Sequence, residues 1–164
     1  MEGQLSFKAI VVGFIVDVFA TQTIGGVAGG MMVANTMRGP GGPAAMNALA
    51  NPAAMTQQMT AMMSSPAMIV ATIASGVLGS IIGGYVTGVL APSAEIKNAA
   101  VMGVLGLALG VLTVVLAPGL SAMMPSWVTF ISCALTLPAA LCGGALRSMK
   151  TAPSHSPENL DRFQ

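Results

Sequence analysis

The chain has 164 residues, of which 54% are hydrophobic and only 7% are charged, against roughly 25% charged residues in soluble domains. A water-facing surface cannot be built from so little charge, and a net charge of +1 excludes a basic stripe for nucleic acid or a polybasic lipid-binding cluster. The class that remains is a small polytopic membrane protein, read as a single transmembrane domain over residues 1–164.

A spanning helix needs about 20 predominantly apolar residues, and four stretches qualify: 9–34, 67–91, 99–117 and 126–146. The first begins after a polar start that ends at Lys8 and carries Asp17, the only charged residue inside any of the four. An ionised Asp at a helix centre in a bilayer costs about 2.5–3.5 kcal/mol on insertion scales, so it needs a partner, water or a proton. Lys8, the apolar residues after it and Val18-Phe19-Ala20 imitate a cleavable leader, but apolar character continues past Ala20 and Asp17 would sit beside the cut. A retained span is therefore expected. Gly25, Gly26, Gly29 and Gly30 are expected to loosen its final turns.

Residues 35–66 form a connection rich in Gly, Pro, Ala, Asn and Met. Arg38-Gly39-Pro40-Gly41-Gly42-Pro43 reads as turn or coil. Asn51-Pro52 then supplies an N-cap and a first-turn proline. Met55, Met59, Met62 and Met63 follow at offsets of 0, 4, 7 and 8, which places them on one helical face. The reading is a short amphipathic helix on the outer membrane surface or folded over the bundle mouth, after which Ser65-Pro66 restarts a helix.

The second span carries two rows of small residues at four-residue spacing, Ala71, Ser75, Gly79, Gly83 and Gly76, Ser80, Gly84, Gly88. Such rows let backbones approach closely, which is how helices associate in lipid without a hydrophobic drive. Gly76, Gly79, Gly83, Gly84 and Gly88 are the expected packing positions, and this span the packing centre. Gly106 with Gly110 repeats the device in the third span, and Ala139 with Gly143 and Ala140 with Gly144 in the fourth. The short connections at 92–98 and 118–125 imply antiparallel hairpins. Pro138 is expected to bend the fourth span and free a carbonyl near Thr136, with Trp127 and Phe130 as interfacial anchors. Cys133 and Cys142 lie nine residues apart in one span, about 13 Å along a helix, too far for an intrachain disulfide. Lys8, Lys97, Arg147, Lys150 and Arg162 fall on one side of the membrane and Arg38 on the other. The positive-inside rule then makes both termini cytoplasmic and the tail at 147–164 a flexible cytoplasmic segment.

Around Gly83-Gly84-Tyr85-Val86-Thr87-Gly88-Val89-Leu90-Ala91-Pro92, followed by Glu95, Lys97 and the glycine-spaced third span, the chain resembles uncharacterised four-span bacterial inner-membrane proteins. In those a Gly-Gly-Tyr-Val helix end leads into a short charged cytoplasmic turn. The resemblance implies a bacterial inner-membrane bundle and brings no activity with it.

Counting depth from the cytoplasmic face at about 1.5 Å per residue, Asp17 is level with residues 80–84 and with Thr136, and Thr21 lies one turn above it. Asp17, Thr21, Tyr85 and Thr136 form the candidate ion or proton site, with no Lys or Arg at that depth. Two readings follow. One is a neutral carboxyl acting as a hydrogen-bonded clasp between helices; the other is an acid exchanging protons or a cation with a cavity. Small multidrug transporters also pair four spans with a first-span acid, but the aromatic lining expected of a cationic-drug pocket is missing here. Nine of the 14 methionines fall between Met31 and Met68, and thioethers bind Cu(I), which makes Met55, Met59, Met62 and Met63 the candidate metal ligands. The competing role is flexible packing. His155 is the sole histidine, and no nucleophile with a base, no carboxylate pair within the membrane and no phosphate loop is present, so no enzymatic activity is expected.

The expected architecture is an all-α membrane protein, an antiparallel four-helix transmembrane bundle with a short outer amphipathic helix. The leading functional reading is non-catalytic: an accessory subunit of a larger membrane complex, or a small homo-oligomer that uses an exposed glycine face. The alternative is a small proton- or cation-coupled transporter or channel with Asp17 as the coupling site and a Cu(I) role as a subcase. The partners implied are the lipid bilayer and other membrane subunits or copies of the chain, not nucleic acid.

Overall fold

Ser6 opens the first helix: its Oγ accepts from the Ala9 amide at 3.3 Å, satisfying one of the amides a helix N-terminus leaves without a partner. From there α1 (Phe7–Arg38) runs for 32 residues. The computed structural model describes residues 4–39, 42, 43 and 51–151. Over these, α1 is followed by α2 (Pro52–Met63), α3 (Pro66–Leu90), α4 (Glu95–Leu116), α5 (Pro118–Ser121) and α6 (Ser126–Thr151). No strand occurs among the described residues, and α1, α3, α4 and α6 are each long and apolar enough to cross a bilayer. The chain is an integral membrane protein with the all-α four-helix architecture that its hydropathy implies. Pro40 and Gly41 of the expected coil and most of the expected tail, with His155 and Arg162, lie outside the described residues.

The glycine-rich stretch does not loosen α1, which stays helical through Gly30 to Arg38. In hydrocarbon the helix is the only partner available to its own backbone, and that outweighs a glycine cost of about 1 kcal/mol per residue. At 1.5 Å per residue α1 is about 48 Å long, longer than a hydrocarbon core of about 30 Å; Gly29 lies opposite Met68 near the start of α3, so the last turns of α1 run beyond α3 at the mouth. Asn51 caps α2, its Oδ1 accepting from the Ala53 amide at 3.0 Å. Ser65 caps α3 in the same way through Met68, and a proline follows each cap, where its missing N–H costs nothing.

Consecutive long helices run antiparallel. One end of the bundle, here the base, holds Phe7, Leu90, Glu95 and Lys150; the other, the mouth, holds Arg38, Pro66, Leu116 and Ser126. Small residues set the contacts. Gly13, Asp17, Thr21 and Gly25 of α1 meet Thr87, Gly83, Gly79 and Ser75 of α3 in antiparallel order. On another side of α3, a Cβ at Gly84 would strike the Ala140 carbonyl, and one at Gly143 would strike the Ile81 carbonyl and lie 2.7 Å from the Tyr85 amide. Along α4 and α6, Ala99 meets Gly144, Gly103 meets Ala140, Gly106 meets Thr136 and Gly110 meets Cys133.

These contacts place α3 against all three other long helices, most extensively α1 and α6, while α1 and α6 make no substantial contact with each other. The order round the bundle is therefore α1, α3, α6, α4 rather than the sequence order, and α3 and α6 lie side by side in parallel. The close backbone approach at Gly84 and Gly143 is what draws α6 onto α3. Pro138 lies inside α6, on an exposed face, without ending the helix; its ring removes the amide proton that would otherwise reach the Ala134 carbonyl.

Packing is uneven along the bundle. Ile10, Met102 and Ala140 form a buried cluster with Phe14 and Val101 against it, in the base half. In the mouth half, α4 is exposed throughout residues 111–116. At the base, Asn98 is fully buried; its Oδ1 accepts from the Ser6 amide at 2.8 Å and its Nδ2 donates to the Ala94 carbonyl at 2.8 Å. One side chain thus fastens the start of α1 to the start of α4. Asn98→Ala is expected to destabilise the protein by about 1–3 kcal/mol, because it strands the Ser6 amide. Thermal unfolding in mild detergent checks this, with the exposed Lys97→Ala as a neutral reference.

Candidate functional site

Asp17 faces inward from α1 and is 7% exposed. It reaches that position because Gly83, directly opposite, has no side chain; a Cβ there would lie 2.6 Å from the Asp17 Cβ. Two hydroxyls donate to Oδ1: Ser80 Oγ from α3 at 3.3 Å and Thr21 Oγ1 from α1 at 3.4 Å. Oδ2 points towards α4, where Gly106 leaves room; a Cβ on Gly106 would stand 3.7 Å from it.

Asp17 lines a cleft of about 280 Å³ whose wall draws on all four long helices, in the gap left because α1 and α6 do not meet. Its polar lining comprises Asp17, Thr21, Gln22, Ser80, Thr113, Ser132 and Thr136. On the base side the cleft ends at Phe14 and the cluster of Ile10, Met102 and Ala140. Its other lining residues lie at the level of Asp17 or nearer the mouth, and Val18, Gln22, Leu109 and Thr113 among them are exposed. Thr136 Oγ1 donates to the Ser132 carbonyl and Thr113 Oγ1 to the Leu109 carbonyl, each at 2.9 Å, leaving their oxygen lone pairs for the cleft. Ser132 Oγ is buried without a hydrogen-bond partner.

Of the four residues picked from the sequence, Asp17, Thr21 and Thr136 line this cleft and Tyr85 does not. Five residues along a helix turn the chain by about 140°, which carries Tyr85 away from the face of Ser80. Tyr85 instead lies beside Gly143, with the Lys150 ammonium 5.5 Å from its ring centroid. Sequence reasoning passed over Ser80, although its depth matched, and over Ser132, which shares a face with Thr136 one turn away. Gly79, Gly83, Gly84 and Gly88 are buried between helices, Gly88 against Arg147 and Glu95. Gly76 has nothing within 4 Å of its Cβ position and lines the cleft instead.

Most of the described methionines gather at the mouth, Met102 and Met149 excepted. Met55, Met59 and Met62 of α2 line a groove of about 170 Å³ together with Val33, Thr36 and Met37 from the last turns of α1. Met63 is not part of its lining: one residue beyond Met62 is about 100° further round the helix. Cys133 and Cys142 are free thiols. Among the described residues no group of three or more His, Cys, Asp or Glu side chains converges. Comparison with protein-family models, with curated proteins and with solved structures returns no match.

Proposed function

We propose that this protein is a small inner-membrane transporter or channel in which Asp17 takes up and releases a proton or a small hard cation through the cleft at the mouth. The observation that carries this reading is the position of the acid: the cleft stops at Asp17, with packed apolar side chains on the base side and exposed polar residues towards the mouth. The lining offers oxygen donors, which suit protons and hard cations rather than soft metals. Lys8, Lys97, Arg147 and Lys150 belong to the base and Arg38 to the mouth. By the positive-inside rule the base is cytoplasmic, and the cleft opens on the opposite side.

The clasp reading is weaker on magnitudes. The hydroxyls sit at 3.3 and 3.4 Å, long for O–H···O bonds that cluster near 2.7–2.8 Å. Interhelical polar contacts in membranes average about 0.6 kcal/mol, a small contribution for a neutral carboxyl held between two helices. Adhesion between α1 and α3 is already supplied by the glycine row. The accessory-subunit and homo-oligomer readings draw on the wide uncovered faces of α1 and α4, which lipid covers equally well.

Asp17→Asn in proteoliposomes tests the proposal. Proton uptake, followed with a trapped pH dye under an imposed potassium diffusion potential, is expected to fall to the level of protein-free vesicles while thermal stability is kept. The carbonyl band of a protonated carboxyl should vanish from the infrared difference spectrum of the same variant. Retained flux with a lowered unfolding temperature would return Asp17 to a purely structural role.

A further inference from the structure

The groove between α1 and α2 is separate from the Asp17 cleft and has a different chemistry. Four of its seven lining residues are methionines, Met37 from α1 and Met55, Met59 and Met62 from α2. Thr36 contributes a hydroxyl whose proton is already given to the Met32 carbonyl at 3.0 Å. Gln58 supplies the only side-chain amide, and no carboxylate, imidazole or thiol lines the groove. We infer that this groove is a thioether site for a monovalent soft cation, Cu(I) or its analogue Ag(I), held by Met37, Met55, Met59 and Met62.

Three observations carry the assignment. The methionines that line the groove come from two separate helices, so the set is a product of the fold and not of spacing along α2 alone. The methionines do not fill the bundle core: Met37, Met55 and Met59 are 39%, 44% and 40% exposed. The groove also lies at the last turns of α1, beside Arg38 and beyond the level at which Gly29 meets the start of α3, at the end of the bundle where an ion in water can reach it. Neutral thioethers bind d¹⁰ monovalent ions and discriminate against Zn²⁺, Mg²⁺ and Ca²⁺, which ask for nitrogen, thiolate or charged oxygen ligands. Three rotatable bonds per side chain let the sulfurs close on an ion.

The structure sets this ligand set apart from the one that spacing suggests. It adds Met37 and removes Met63, and the experiment is built on that exchange. The full-length protein in nanodiscs is titrated with Ag(I), and with Cu(I) under anaerobic reducing conditions in competition with a chromophoric Cu(I) chelator. About one ion per chain is expected, with a sulfur-only environment in X-ray absorption. Met37→Leu and Met59→Leu, which conserve volume and helix propensity, should each weaken binding by about tenfold or more, at least the loss that follows removal of a supporting group at a metal site. Met63→Leu should bind as the wild type does. Oxygen or nitrogen ligands in the wild-type spectrum, undiminished binding in the Met37 variant, or an equal loss in the Met63 variant would each overturn the assignment. The spectrum is recorded on the unaltered protein, so the test does not depend on any variant folding.

Discussion

Gly84→Ala and Gly143→Ala are each expected to lower the stability of the bundle by about 1–3 kcal/mol, the range for overpacking a closely fitted interior, whereas Gly26→Ala should raise it. The added methyl at Gly84 meets the carbonyl of Ala140, and that at Gly143 meets the carbonyl of Ile81 and the amide of Tyr85. Backbone cannot swing aside as a flexible side chain can, so α3 and α6 must separate along their shared face. At Gly26 nothing lies within 4 Å of the new Cβ, and only the gain in helix propensity remains, up to about 1 kcal/mol. Thermal unfolding of the three variants in one mild detergent measures the contrast. If Gly84→Ala melts with Gly26→Ala, the parallel α3–α6 contact is not what holds the bundle together.

The second large effect concerns passage rather than stability. Gly106→Leu is expected to suppress proton flux by about tenfold or more, equivalent to ~1.4 kcal/mol of added barrier, while leaving the Asp17 carboxyl in place. A Cβ at Gly106 stands 3.7 Å from Oδ2 and 3.2 Å from the Thr136 methyl, so a single methyl fits with a small adjustment, and the rest of a leucine extends into the cleft. An apolar plug there dewets the route to the acid. Unlike Asp17→Asn, this variant should keep the infrared carboxyl band and lose only the flux. Wild-type flux in Gly106→Leu would mean that ions reach Asp17 by another path. Gly106→Ala, at ordinary contact distance from Oδ2, should transport almost normally.

The spans, the caps at Asn51 and Ser65, and the depth of Asp17 were legible in the chain because each follows from local rules: apolar length, capping chemistry and rise per residue. The helix order round the bundle was not. It depends on which small-residue row meets which backbone, and Gly84 against Ala140 is a tertiary fact that spacing does not encode. The site was half legible for the same reason. Depth counting put Asp17, Thr136 and Tyr85 near one level, but azimuth decides which side chains meet, and Tyr85 lies on the wrong face while Ser80 lies on the right one. Methionine spacing likewise found three groove residues and could not find Met37, which arrives from another helix.

The parallel course of α3 and α6 has an electrostatic consequence at the base. Each helix C-terminus is equivalent to about half a negative charge, and two of them side by side repel, where an antiparallel pair would cancel. Lys150 stands in the last turn of α6. A Cβ on Gly88 would lie 3.1 and 3.2 Å from Cβ and Cγ of Arg147, so the Arg147 stem lies over the end of α3 as well as its own helix. The basic residues at the base thus stand beside the shared negative pole of this pair, and reversing the charge at Arg147 would be felt by two helices at once.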